Sequence, residues 1–337
     1  MNLLNSLKFL ESFLNSEFFK VLIKAEIFPG TLFISLLVYF TVWLERKLLA
    51  RVMIRIGPLH VGKYAGILQI LADFLKLISK ERIVPKKADR LIFITMPIAA
   101  VMIASLPLAV IPFDEYWYIF KSDYSLLYFL AIYSLFPIVD LSTGWASNNK
   151  YSFIGGIRSG YQMLGYEVPL YLATASIVIA AKSLNLIDIV KAQSEVWFIL
   201  LQPLGFLTFF LSILAELERS PFDIPEAEQE IVIGWITEYS GIYFGLMFFS
   251  IYLRFCISAM LLTTLFLGGW LMPSILLKLF PGAFWFVIKS VIVIALIILI
   301  RGAFPRIRLD QLLNFGWKIL APLALINLFI TSIIVLI

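Results

Sequence analysis

Seven carboxylates, Glu216, Glu218, Asp223, Glu226, Glu228, Glu230 and Glu238, fall within the stretch "AELERSPFDIPEAEQEIVIGWITEY", Ala215 to Tyr239, against one cation, Arg219. The chain has 22 acidic residues, so nearly a third of them are gathered between two apolar runs. The plain reading of such a cluster is a solvated loop. Pro221, Phe222, Ile224, Pro225 and Ile231 are interleaved with the acids, however, so the loop is not uniformly hydrophilic. Glu226 and Glu230 stand at i and i+4 and are expected to share a helical face on which like charges repel. Such a pair titrates jointly, with one proton held above the usual carboxyl range. A cluster of this kind stores and passes protons near neutral pH, which isolated surface glutamates do not.

Further acids lie where the chain is otherwise oily. Asp140, in "FPIVDLSTGWASNN", comes just after Pro137, whose missing N–H frees a backbone carbonyl and lets water enter a span. Glu167, in "GYQMLGYEVPLYLATA", precedes Pro169 and is flanked by apolar residues. Ionisable groups inside a span are expensive and face protein or water. Proton handling and structural pairing with an arginine are both open for these two. Glu45, in "VWLERKLLARVMIRIGP", is followed at once by Arg46 and Lys47 and reads equally as a topology anchor.

The elements that must position these groups are helices in a membrane. Apolar residues make up 61% of the 337, charged residues only 15%, and mean hydropathy is +0.95. A soluble domain would carry about a quarter charged residues. One cysteine (Cys256) and one histidine (His60) cannot assemble a zinc site, an iron–sulfur cluster or a disulfide, so no bound metal, flavin or cluster is expected in this chain. The N-terminus lacks a basic leader followed by a small-residue cleavage site, and no cleavable signal is expected.

Residues 1–26 mix apolar and charged positions as an interfacial helix does. Eight spans are expected, near 28–45, 91–112, 126–146, 162–181, 199–217, 240–267, 284–300 and 319–337. The connection over 46–90 holds eleven of the 27 basic residues. Placing every second connection on that same side collects eighteen Lys and Arg there against seven opposite, with Arg254 and Lys289 inside spans. The basic side, and the acidic loop 215–239 with it, is therefore expected to face the cytoplasm (or a matrix or stroma), and the net charge of +5 reflects topology rather than nucleic-acid binding. Within 46–90, "VGKYAGILQILADFLKLISKE" places Tyr64, Ile67, Leu68, Leu71, Leu75 and Ile78 on one helical face and Gln69, Asp73, Lys76 and Lys80 on the other. This is expected to be a helix lying along the membrane surface. The fold class is all-α and polytopic, with one membrane domain over 1–337. From the residues alone, a proton-coupled machine served by an external cofactor competes with a secondary transporter; neither inverted repeats nor paired broken helices are evident to favour the latter.

The blocks "LERKLLARVMIRIGPLHVGKYAGILQILADFLKLISKE", "GWASNNKYSFIGGIRSGYQMLGYEVP", "LAELERSPFDIPEAEQEIVIGWITEYSG" and "FPRIRLDQLLNFGWKILAPLALINL" resemble the subunit 1 (or H-subunit) family of respiratory complex I, in family order. The resemblance implies a membrane protein that forms much of a quinone chamber. Quinone would be its substrate, iron–sulfur subunits of a peripheral arm its electron source, and small and antiporter-like membrane subunits its neighbours. It implies basic residues near the quinone passage at Arg46, Arg55 and Arg301, with Asp73 and Glu81 after its mouth. A proton path would run through Glu167, Glu216, Asp223, Glu226, Glu228, Glu230 and Glu238, with Asp140 joining on the reading above and Arg158 and Arg219 as cations beside the acids. The loop resembles prokaryotic versions, which implies a cell membrane. One departure stands out: several relatives place a glutamate before the tyrosine of span six, where this chain has Ile251 before Tyr252. Arg254, two residues on, is expected to counter Glu167 or Asp140. Related hydrogenases and ferredoxin-linked complexes use a homologous protein, and a purely structural anchor is the non-enzymatic alternative.

Overall fold

The computed structural model describes residues 21, 24–62, 65–272 and 280–336, with the side chain of Glu228 set aside. The interfacial helix expected over 1–26 falls almost wholly outside them. Among the described residues the regular elements are all helical. Seven segments are long and apolar enough to cross a membrane, beginning with Lys24–Val52 and ending with Leu309–Leu336. The main helices are α1 (Thr31–Val52), α2 (Gln69–Ser79), α3 (Arg90–Ser105), α4 (Ser125–Tyr133), α5 (Phe136–Ala146), α6 (Lys150–Ala181), α7 (Leu186–Ala192), α8 (Pro203–Glu216), α9 (Glu228–Ile231), α10 (Gly241–Phe266), α11 (Gly282–Ala303), α12 (Leu309–Phe315) and α13 (Ala321–Leu336).

One expected span, 199–217, is corrected. It breaks into one turn, Phe198–Leu201, and the 14-residue α8, which at 1.5 Å per residue reaches only about 21 Å. Pro203 has no N–H to continue the first turn. Gln202 fills the break: its Oε1 accepts from Ser176 Oγ at 2.9 Å, and Asn327 Nδ2 donates to the same hydroxyl at 2.8 Å.

Two helices organise the rest. α6 packs against α5, α8 and α13, and α10 packs against α1, α3 and α11. Every residue of α10 from Ser250 to Phe266 is buried. The carbonyls of the turn that follows it are collected by Lys289 of α11, whose Nζ donates to Leu267, Gly269 and Leu271 at 2.7, 3.1 and 2.6 Å. The buried span lysine thus fixes the turn that leaves α10.

α6 begins twelve residues before the expected span, at a cap where Asn149 accepts from the Tyr151 N–H at 3.0 Å. The extra turns carry the seat of the acidic loop. Gly155 lets the backbone of Gly234 and Trp235 lie directly against the helix. Ser152 Oγ donates to Trp235 O at 2.9 Å, and Gln162 Nε2 donates to Ala215 O and Phe222 O at 2.7 and 2.6 Å. Phe222 and Ile224 enter the main core. Trp235, Ile236 and Tyr239 enter a second core with Phe93, Met247 and Ile251, in which the Phe93 and Tyr239 rings stack at 4.1 Å.

The surface helix is shorter than its hydrophobic pattern predicts. Gly62 and Gly66 adopt left-handed φ of +92° and +68°, so the regular helix starts only at Gln69. None of its residues is buried, and Leu71, Phe74, Leu75 and Ile78 are exposed to the outside. Its other side rests on α1 and α10. Tyr64 of the expected apolar face lies outside the described residues.

Candidate functional site

At the inner end of α1, Glu45 is only 4% exposed. Arg219, from the acidic loop, reaches it at 3.1 Å, and Arg301, from the end of α11, pairs with the same oxygen. The Arg219 guanidinium also lies over the Tyr252 and Phe255 rings, with centroids at 4.7 and 5.4 Å. Three elements distant in sequence therefore converge on one carboxylate. The topology-anchor reading of Glu45 is corrected, because an anchor would face water or headgroups.

Two cavities flank this junction. One, of about 480 Å³, is lined by Glu45, Arg46, Leu49, Arg55, Tyr252 and Arg301 among others. It opens between α1 and the surface helix, where Arg46 bridges to Asp73 at 2.5 Å. The other, of about 330 Å³, is lined by Asp223, Glu226, Gln229, Arg301 and Arg306. Arg301 belongs to both walls.

The loop carboxylates take different environments. Ser220 Oγ donates to Asp223 at 2.9 Å, and Arg306 stands 3.3 Å from its other oxygen. Glu226 is partly buried; burial pushes its carboxyl up, while Arg219, Arg301 and Arg254 oppose that. Glu230 is exposed and bonded to Arg158 at 2.5 Å, and that hydrogen bond holds its carboxyl below the usual range. Asn149 Nδ2 donates to Glu238 at 2.5 Å. Glu218 is 2% exposed. Burial first, then the charge of Asp140, pushes its carboxyl up to about 8, with Arg254 and Ser159 pulling the other way.

Within the spans, Asp140 accepts from Ser159 Oγ at 3.0 Å and pairs with Arg254 at 3.4 Å. The Arg254 guanidinium lies 4.9 Å from the Phe136 ring centroid. Glu167 on α6 and Glu216 at the end of α8 are both buried, each with its Oε1 unpartnered. Unsatisfied buried carboxyl oxygens call for water or for a proton that comes and goes.

Residues 26–332 match the family described as NADH dehydrogenase. The H subunits of NADH-quinone oxidoreductase from Bacillus cereus (strain B4264) and Bacillus thuringiensis (strain Al Hakam) are each 48% identical over 290 residues, which is 86% of this chain and 87% of theirs. The chain belongs to the H-subunit family of complex I.

The residues singled out by the H-subunit resemblance, together with Asp140 and Arg254 from the span sequences themselves, are distributed over four places. Arg46, Arg55 and Arg301 line the first cavity, with Asp73 held to Arg46. Asp223 and Glu226 line the second. Asp140, paired with Arg254, occupies the spans together with Glu167 and Glu216. Glu230 and Glu238 sit at the rim with Arg158 and Asn149. The side chain of Glu228 lies outside the described atoms. Of the two partners expected for Arg254, the geometry selects Asp140.

The expected Glu226–Glu230 pair is corrected. α9 is a single turn, Glu228–Ile231, with Ala227 as its N-cap, so Glu226 precedes the helix and shares no face with Glu230. Their carboxyls shift in opposite directions, and the joint titration falls away.

Two acids were missed as site residues, Glu45 and Glu218. Glu45's partners lie 174 and 256 residues away, and no local pattern announces them. For Glu218, a signal was available: it lies two residues past the end of an apolar helix, where the chain must turn.

A pH dependence follows from Glu218. The folded chain keeps a proton there up to about pH 8, whereas an unfolded carboxyl releases it near 4.5. The associated stability is complete below about 4.5 and is lost as pH rises from there to about 8. The melting temperature of the purified assembly is expected to fall across that window, and Glu218→Gln to flatten the fall.

Proposed function

We propose that this chain is the membrane subunit of a proton-translocating NADH-quinone oxidoreductase, housing the quinone chamber and linking quinone reduction to proton movement. The observation that carries the proposal is the Arg219–Glu45–Arg301 junction between two cavities, one beside the surface helix and one against the acidic loop. On this reading, quinone enters past the exposed apolar strip of α2 and lodges in the first cavity. Its electrons come from an iron–sulfur protein of a peripheral arm, and the chain brings no redox centre of its own. Small and antiporter-like membrane subunits receive the resulting signal. The setting is the cell membrane of a prokaryote, in keeping with the Bacillus relatives.

The linkage is electrostatic. Two-electron reduction followed by protonation changes the charge in the chamber by up to about two units, and a unit charge about 7 Å away at an effective dielectric of about 20 is worth about 2 kcal/mol, more than one pKa unit. That switches carboxyls held near their titration point, and Glu226 is pushed toward it. Arg301, shared between the two walls, carries the change from chamber to loop. Asp223, held by Ser220 and Arg306, stands at the turn that responds.

Asp223→Asn is expected to lower NADH-driven reduction of a short-chain quinone and proton uptake together, by about tenfold. An assembled complex with full coupled turnover would refute the assignment.

A further inference from the structure

Glu218 occupies a position that its backbone would assign to another residue. It follows Leu217, the C-terminal cap of α8, with φ +52°. This left-handed position after a helix is normally glycine or asparagine, because a Cβ crowds the following carbonyl. The chain nevertheless keeps a glutamate here and buries it. Strain of this sort, retained at a polar buried site, points to a role for the side chain.

The surroundings specify that role. Trp235 Nε1 donates to Glu218 Oε2 at 3.3 Å, which fixes the carboxyl against the end of the acidic loop. The other oxygen, Oε1, is buried without a partner. Among the described residues, no cation makes an ion pair with Glu218. The charged groups that act on it come from four elements: Asp140 on α5, Arg254 on α10, Glu226 in the loop and the buried Glu216 at the end of α8, with the Ser159 hydroxyl of α6 alongside. Arg254 is already engaged by Asp140. A buried carboxylate left without a cation would be strongly disfavoured, so the resting group is the neutral acid. It then has one O–H to give and one unpartnered oxygen from which to give it.

We propose that Glu218 is the connecting proton carrier of this chain, passing a proton between Glu226 in the acidic loop and the Asp140–Arg254 pair within the membrane spans. The inference rests on the linkage proposed above and names the group through which it runs. Glu218 releases its Oε1 proton toward the Asp140 carboxylate, and a proton given up by Glu226 then travels through intervening water to the vacated Oε1. One O–H bond breaks at each donor and one forms at each acceptor. Asp140, once neutral, relaxes its hold on Arg254. That arrival from the loop restores Glu218, and the group ends each cycle unchanged. Trp235 is a positioning residue: it holds Oε2 and leaves Oε1 as the working oxygen.

The backbone strain supplies a discriminating test. Asparagine tolerates the left-handed conformation better than glutamate does, so Glu218→Asn should assemble at least as well as the wild type. If Glu218 were only structural, that variant would work normally. The assembled complex in membrane vesicles is given NADH and a short-chain quinone, and proton uptake is followed with a pH-sensitive acridine dye. Glu218→Asn and the isosteric Glu218→Gln are expected to lower coupled turnover about tenfold or more. Both should also remove the inflexion near pH 8 from the rate profile, whereas Glu218→Asp should keep an inflexion and recover part of the rate. Wild-type turnover and an unchanged pH profile in either assembled neutral variant overturn the proposal. So does an aspartate variant as slow and featureless as the asparagine one. Failure of both neutral variants to assemble also overturns it, because the role is then structural. Asp223→Asn run in parallel separates the two levels: if it slows turnover while Glu218→Asn does not, only this inference fails, and if both are silent, the linkage itself fails.

Discussion

Glu45→Ala is expected to leave almost no assembled complex in the membrane. Its carboxylate is the shared partner of Arg219 and Arg301. Removing one member of a buried ion pair costs about 3–5 kcal/mol, because the remaining charge is left uncompensated. Arg219 would keep the Tyr252 and Phe255 rings beneath it and the charge of Glu226 nearby, but it would lose the one carboxylate with which it makes an ion pair among the described residues, and two of its nitrogens are already unpartnered. That loss approaches the whole stability of an ordinary domain. Immunodetection of the chain after native electrophoresis measures the outcome directly. Glu45→Gln, which keeps the shape and one acceptor oxygen, should give an intermediate amount. The double change Glu45→Met with Arg219→Met should recover assembly better than either single change, since apolar isosteres of a buried pair pack without the penalty. It should not recover quinone reduction, because the junction between the two cavities would be gone. Normal amounts of complex carrying Glu45→Ala would show that the junction bears no structural load.

Gly155→Ala, a single added methyl group, is expected to lower coupled turnover more than about tenfold by displacing the loop. A Cβ at this position would lie 2.6 Å from Trp235 N and 2.7 Å from two backbone atoms of Gly234. Neither neighbour is a flexible side-chain tip, so the turn carrying Trp235 must move off α6. The movement breaks the Ser152 bond to the Trp235 carbonyl and pulls the indole from Glu218. Gly160→Ala on the same helix is the control. The nearest atom to its Cβ would be a methyl of Leu141 at 3.6 Å, and alanine gains up to about 1 kcal/mol over glycine in a helix interior. It should be neutral or slightly stabilising. Equal activities for the two variants would remove the argument that α6 seats the loop.

How far the sequence foretold this arrangement depends on the distance over which each feature is determined. The spans were legible because each is a local run of apolar residues whose length is tested against the bilayer. Where the run was interrupted by Gln202 and Pro203, the proline alone was the warning that 199–217 would not be one helix. Gly66 carried the corresponding signal that the surface helix starts late, although the apolar period expected of it ran back through Tyr64. The burial of the acidic loop was legible in Phe222, Ile224 and Ile231, which have no reason to lie among acids in a solvated segment. Charge pairing was not legible. Spacing suggested Glu226 with Glu230, yet tertiary contacts gave Glu230 to Arg158 and left Glu226 outside the helix. Arg219, for all the acids beside it in sequence, is bound to one on a different helix. Electrostatic partners are chosen in space, and only the backbone strain at Glu218 left a local trace.

The enclosure of α10 from Ser250 to Phe266 has a consequence for how the protein is made. A segment that carries Arg254 near its middle enters a bilayer poorly by itself, since an arginine at that depth opposes insertion by a few kcal/mol. Its counter-ion, Asp140, belongs to a helix that the ribosome completes more than a hundred residues earlier. The acid is therefore already waiting in the membrane when the arginine emerges. Biogenesis of the α10 crossing is thus tied to the successful placement of α5, and lipid never has to solvate the guanidinium.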